Sequence, residues 1–175
     1  MTSKVPERKS VFIFVGPKGS GKTHIGSLLE KEIGLKFLSV EKLGIENARR
    51  SKLTGYERVK ESFHEEEAEI DRILAQHDAM SFEATGSSDY FVTVLERLRS
   101  KYKVRLIRIV SPLETCCRRI EQRDASAHLP VSAAMIKMIN EKAAGVDLDW
   151  DLTIDNSDQP SAAQIVAVFK MCAAR

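Results

Sequence analysis

The sequence predicts an α/β domain in which a mostly parallel sheet is covered by helices on both faces. Three observations carry that expectation. Short apolar runs alternate along the chain with stretches whose apolar residues recur at helical spacing. The first run, Val11-Phe12-Ile13-Phe14-Val15, is apolar at every position and closed by Gly16, as in a strand buried on both faces. The chain has 175 residues, enough for one such domain spanning 1–175, and no Pro/Gly/Ser-rich linker, repeat or low-complexity segment divides it.

The elements follow in order. From Ser20 to Ile33 the apolar positions Ile25, Leu28, Leu29 and Ile33 mark one helix face. A second strand is expected over Leu35 to Val40. Glu41 to Ala75 is charged and helical in pattern, with a break at Thr54-Gly55. Ala79 to Ala84 reads as a third strand, followed by a helix from Ser88 to about Ser100. Val104 to Val110 is the fourth strand, ended by Ser111-Pro112. Helices are expected over Leu113 to about Arg123 and Val131 to about Ala144. Leu152-Thr153-Ile154 is the fifth strand, and Ala162 to Cys172 the closing helix. Right-handed crossovers follow from the handedness of strand and helix.

Composition narrows the function. Apolar residues make up 43% and charged residues 30%, with a net charge of +2, which fits a globular protein and not a disordered one. A balance so near neutral argues against a surface built for nucleic acid. No apolar run approaches the roughly 20 residues of a membrane span, and Met1 to Ser10 lacks the apolar centre of a secretion signal. Cys116, Cys117 and Cys172 form neither a disulfide framework nor a zinc spacing, so reduced thiols and a cytoplasmic location are expected. Core packing accounts for Cys116 and Cys117 on their helix. His24, His64, His77 and His128 stand alone, and the Glu65-Glu66-Glu67-Ala68-Glu69 run reads as a solvated helix face.

One segment carries chemistry. Gly16-Pro17-Lys18-Gly19-Ser20-Gly21-Lys22-Thr23 fits G-x-x-x-x-G-K-[ST], and it lies between an apolar strand and an amphipathic helix. Glycines at 16, 19 and 21 permit backbone angles that let successive N–H groups converge on phosphate oxygens. The following helix adds the partial positive charge of its N-terminus. Lys22 is expected on the β- and γ-phosphates, and Thr23 offers a hydroxyl to Mg²⁺. His24 closes the nucleotide-binding stretch Gly16–His24 as a candidate cofactor-binding residue, with its ring expected toward helix packing. The loop therefore predicts a nucleoside triphosphate, with ATP and Mg²⁺ as the expected pair.

With that loop, the order of pieces from Val11 to Phe169 resembles the small P-loop kinases, the shikimate, gluconate and nucleoside monophosphate kinases among them. The resemblance implies a five-stranded parallel sheet in the order 2-3-1-4-5 and an arginine-bearing lid near residues 118–135. It also implies a small-molecule acceptor pocket beneath that lid, and a monomer as the default. Arg119-Ile120-Glu121-Gln122-Arg123 is similar to the R-x-x-x-R of the lid, whose two arginines share a helix face. By similarity Arg119 stacks on adenine and Arg123 contacts the transferring phosphate. The same residues on their own also read as a solvated face paired with Glu121 and Asp124. Asp155, Asn156 and Ser157 resemble the loop that lines the base pocket, and they equally read as a polar turn ahead of a helix.

The acceptor side is weaker in pattern. Glu41 falls where shikimate kinase carries the second acid of its D-x-D, so it is a candidate base or hydroxyl orienter. It reads equally as a first-turn helix acid. Ser39 stands where the first acid would be. Glu83, at the end of the third strand, is a candidate to hold Mg²⁺ through water. Thr85 and Gly86 could approach the acceptor, and Arg58 lies where an anionic acceptor group would be met. These residues leave open which of Glu41 and Glu83 is the base, whether GTP replaces ATP, and whether the acceptor is a nucleoside monophosphate or a shikimate- or sugar-acid-like molecule. A kinase of nucleic-acid ends and a nucleotide-binding switch without an acceptor are the alternatives.

Overall fold

A computed structural model describes residues 8–123 and 131–174. Five parallel strands, β1 (Ser10–Val15), β2 (Lys36–Leu38), β3 (Ala79–Ala84), β4 (Lys103–Val110) and β5 (Leu152–Asp155), form one sheet in the order β2-β3-β1-β4-β5. The helices are α1 (Lys22–Ile33), α2 (Val40–Ala48), α3 (Gly55–Gln76), α4 (Tyr90–Lys101), α5 (Leu113–Glu121), α6 (Ala133–Ala144) and α7 (Ala162–Ala173).

The central strand explains the layers. Val11, Ile13 and Val15 of β1 point into one cluster with Ile70, Leu74, Phe91 and Leu98 from α3 and α4. Phe12 and Phe14 point the other way, onto Ile25 and Leu29 of α1 and Ile165 and Phe169 of α7. An uninterrupted apolar run is what such a two-sided strand requires. Chain direction across the sheet reverses at β1, with β3 on one side and β4 on the other, so a crevice opens beyond the carboxyl ends of these strands.

Most elements lie where the sequence places them, with differences of a few residues at the ends. The second strand is the main correction, because it stops at Leu38. The Ser39 hydroxyl accepts from the backbone N–H of Lys42 and starts α2, so Val40 is helical. Serine is a strong N-cap, and Glu41 in the first turn adds to it. Ser132 and Ser161 start α6 and α7 in the same way. Cys116 is buried as expected, but Cys117 is exposed. No helix among the described residues is long and apolar enough to cross a membrane.

Candidate active site

β1 delivers the chain into the loop 16–23, and α1 begins at Lys22 inside it. Gly19 (φ 85°) and Gly21 (φ 100°) occupy the left-handed region that a side chain strains, and they curl the loop. Gly16 is needed for a different reason than the one its sequence position suggests. A Cβ there would stand 2.3 Å from the Ile109 carbonyl oxygen of β4, so closeness of packing fixes that glycine.

Three side chains hold the loop from behind. Asn140 of α6 accepts from the Lys18 N–H at 2.8 Å and donates to the Lys18 carbonyl at 3.0 Å. Asn156 donates to the Ser20 carbonyl at 2.7 Å. Arg119 donates to the Gly19 carbonyl at 3.4 Å, to Ser111 Oγ at 3.1 Å and to the Asn156 carbonyl at 2.9 Å. Both asparagines are almost wholly buried, so each bond works in a low dielectric where an unmade partner is costly. Asn140 escaped the sequence reading. Its signal was a polar residue in the Ile136, Asn140, Ala143 register of an otherwise apolar helix face.

Within the loop the Lys22 ammonium donates to the carbonyls of Gly16 (2.8 Å) and Pro17 (2.7 Å). Burial lowers its pKa from 10.5 to about 8; nearby Glu83 opposes the shift, and Lys18 and Arg123 add to it. Ser20 Oγ is buried and has no hydrogen-bond partner among the described residues. Next to them Thr23 Oγ1 donates to Glu83 Oε2 at 2.6 Å, and Ser39 Oγ donates to Glu83 Oε1 at 3.3 Å. β3 places Glu83 there because Phe14 of β1 is its register partner, one residue before the strand's end.

In front of the loop lies a cavity of about 270 Å³. It gathers Lys18, Gly19, Gly21, Lys22 and Thr23 with Glu41, Glu83, Thr85, Gly86 and Arg123. Its far wall comes from α2, α3 and α4 through Val40, Phe63, Glu66 and Phe91. Glu41 faces Lys18 across 3.5 Å. Gly16 and Pro17 line a second cavity of about 180 Å³ behind the loop, together with Arg108 and Trp150.

Other residues singled out in the sequence lie elsewhere. Arg58 does not line the main cavity; its guanidinium sits 2.5 Å from Glu61 and 3.4 Å from Glu65 on its own helix. His24 is exposed on α1 and not packed. Asp155 is exposed and accepts from the Ser157 hydroxyl and, at 2.9 Å, from the Ser157 N–H, which together lower its pKa, while Asn156 alone of the three turns to the loop. Arg119 and Arg123 do not lie on one helix. The helix ends at Glu121, and the Arg123 N–H closes a tight turn onto the Ile120 carbonyl, which sends Arg123 to the cavity. Residues 124–130, with His128 and the centre of the expected lid, lie outside the described residues.

The acidic run of α3 is a correction. Glu65 meets Arg58, Glu67 meets Arg97 with Nε–Oε2 at 2.9 Å, and Glu66 turns into the cavity. Glu66 is only 9% exposed, and burial together with Glu67 and Glu65 raises its pKa to about 8. In the unfolded chain the carboxyl ionises near 4.5, so from there to about pH 8 the folded state holds the extra proton and stability falls as pH rises. Glu66→Gln is therefore expected to flatten a loss of up to about 1.4 kcal/mol per pH unit across that window. Denaturant unfolding of both proteins at pH 5 and pH 8 checks it; equal wild-type and variant slopes would refute it.

The model of the ATPase family associated with various cellular activities (AAA) matches residues 12–123, from β1 through the end of α5, which is more than half of the chain. The chain belongs to this AAA family. No curated protein sequence matches it. Solved structures similar to this AAA-family chain include a sugar kinase from Janibacter, at 16% identity over 97% of this chain and 95% of that one, TM-score 0.65. APS kinase from Mycobacterium tuberculosis, in complex with AMPPNP and APS, matches at 15% identity over 96% and 99%, TM-score 0.63. Shikimate kinase from Acinetobacter baumannii, in complex with shikimate, matches at 16% over 95% and 94%, TM-score 0.62. At such identities the likeness is one of fold, and it agrees with the strand order observed.

Proposed function

We propose that this protein is an ATP- and Mg²⁺-dependent phosphotransferase that moves the γ-phosphoryl group of ATP to a hydroxyl of a small molecule in the main cavity. The observation that carries this reading is the Thr23–Glu83 contact of 2.6 Å beside the glycine loop, opening on a cavity that also holds Glu41 and Arg123. The residues suit both parts of the donor. The curled loop, the buried Ser20 hydroxyl and the Lys22 ammonium supply donors for phosphate oxygens. Thr23 and Glu83 would offer Mg²⁺ oxygens of the kind a hard cation prefers. When bound, Mg²⁺ supplies charge neutralisation at the β- and γ-phosphoryl oxygens.

This chain's own residues then do the following. Lys22 leaves the carbonyls of Gly16 and Pro17 for the phosphates and stays charged beside them. The acceptor hydroxyl attacks phosphorus in line; the new O–P bond forms as the bond to the ADP oxygen breaks, and ADP keeps that electron pair. Glu41 orients the hydroxyl and takes its proton. Arg123 pairs with the transferring oxygens, and Arg119, tied to the loop and to Asn156, stands at the base side. Glu83 serves as the metal-linked acid and Glu41 as the base, since Glu83 is the one in contact with Thr23.

Coupled ADP production with ATP and Mg²⁺ across nucleosides, nucleoside monophosphates, hydroxy acids, sugars, amino alcohols and a 5′-hydroxyl oligonucleotide tests the reading. Stimulation by a small acceptor supports it. Stimulation by the oligonucleotide alone would identify a nucleic-acid end kinase, and a flat response with ATP bound would identify a switch. Arg123→Ala is expected to lower kcat by about 100-fold while ATP affinity changes far less, the mark of a transition-state contact. An unchanged kcat at saturating acceptor would remove Arg123 from the mechanism.

A further inference from the structure

The far wall of the main cavity has an unusual charge arrangement. Among the described residues the lysines and arginines that line the cavity, Lys18, Lys22 and Arg123, all stand opposite that wall, at the phosphate loop or just past the end of α5. No arginine or lysine of α2, α3 or α4 lines it, and Arg58 is engaged with Glu61 and Glu65. Glu66, by contrast, lies among Val40, Phe63 and Phe91 and is only 9% exposed. Its neighbours each have a guanidinium, Arg58 for Glu65 and Arg97 for Glu67. Among the described residues Glu66 makes no hydrogen bond or ion pair, and its electrostatic neighbours are two further carboxylates.

A buried carboxyl without a partner costs free energy, and an arrangement that keeps one facing a cavity makes sense when a ligand supplies the partner. We propose that Glu66 is the specificity-determining residue for the acceptor, and that the acceptor is a small hydroxyl compound bearing a protonated amine, an amino alcohol or amino sugar, whose ammonium pairs with the Glu66 carboxylate. The apolar and aromatic surfaces of Val40, Phe63 and Phe91 then cover its carbon skeleton, and aromatic faces favour a nearby cation. A carboxylate or phosphate in the same place would find no lysine or arginine on α2, α3 or α4 to pair with and would hold Glu66 in its protonated form, so an anionic acceptor gains no ion pair from this wall. The high pKa of the free Glu66 carboxyl agrees, because like charges and burial surround it and an incoming ammonium relieves both. This inference rests on the phosphotransferase reading only for treating the cavity as an acceptor site.

Calorimetric titration of the protein already saturated with AMPPNP and Mg²⁺ tests it without requiring turnover. The probes are three matched sets: ethanolamine, ethylene glycol and glycolate; serinol, glycerol and glycerate; glucosamine, glucose and gluconate. In at least one set the amine is expected to bind about tenfold or more tighter than its carboxylate, the size of one charged hydrogen bond. Glu66→Gln is expected to abolish that preference while AMPPNP affinity stays within about twofold. If Glu66→Gln does not bind AMPPNP, Glu66→Ala is held to the same criterion. The proposal falls if no amine binds, if carboxylates bind as well as amines, or if the preference survives loss of the carboxylate. ADP production with the same probes separates the two readings. An amine that binds through Glu66 but is never phosphorylated would leave this subsite standing and overturn the phosphotransferase reading. Phosphorylation of carboxylates alone would do the reverse.

Discussion

Lys22→Ala is expected to lower kcat/KM for phosphoryl transfer by at least about 1,000-fold and to leave the protein folded. The side chain is buried, and its ammonium rests on two carbonyls of its own loop, with Glu83 the favourable charge nearby. Keeping a cation there depresses its pKa to about 8, a standing cost that only an anion can offset. The β- and γ-phosphates of ATP are that anion under the proposed function, and in a low dielectric the contact is worth several kcal/mol in the transition state. Folding responds weakly because two opposing effects cancel. Truncation unpairs the Gly16 and Pro17 carbonyls, and it also removes a desolvated charge, so the net change in stability is about 1 kcal/mol in either direction. Thermal unfolding beside the coupled assay separates the two quantities. A folded variant that retains transfer within tenfold of wild type would show that Lys22 is a brace for the loop and not a contact to phosphate.

How far the sequence alone reaches depends on whether a position is fixed by local pattern or by tertiary approach. β1 was legible because five adjacent apolar residues have no other comfortable environment than the middle of a doubly covered sheet. The loop was legible because residue types at fixed offsets encode its backbone. Gly16 was placed correctly for the wrong reason, since the carbonyl of Ile109 that crowds it is 93 residues away along the chain. Ser39 was read as strand because an apolar run flanks it, and the capping hydroxyl won over that run. Arg119 and Arg123 were placed together by helical spacing, which fails where the helix stops between them. Glu66 was the largest miss. A run of four glutamates in five residues reads as solvated, yet Glu66 lies three residues after Phe63 and four before Ile70, on the inward stripe of α3. Charge outweighed register in the reading, and register decided the fold.

Glu83→Gln is the companion prediction, with kcat expected to fall by about 1,000-fold at saturating Mg²⁺. The substitution keeps the shape and leaves an amide oxygen that can still accept from Thr23, so what it removes is charge. In the present arrangement two hydroxyls, Thr23 and Ser39, point at the same carboxylate from opposite oxygens. That pair fixes the orientation of the carboxylate. If Glu83 is the metal-linked acid, the variant shows a raised Mg²⁺ requirement, while Mg²⁺-free ATP binding changes less than about threefold. Ser39→Ala isolates the orienting contribution: it leaves the charge and one hydroxyl bond, and a loss of no more than about tenfold in kcat is expected. Should Glu83→Gln and Ser39→Ala have equal small effects with unchanged Mg²⁺ dependence, Glu83 would be an anchor for Thr23 alone. Glu41, the other acid facing the phosphate loop across the cavity, would then have to carry both the metal-linked and the proton-accepting roles.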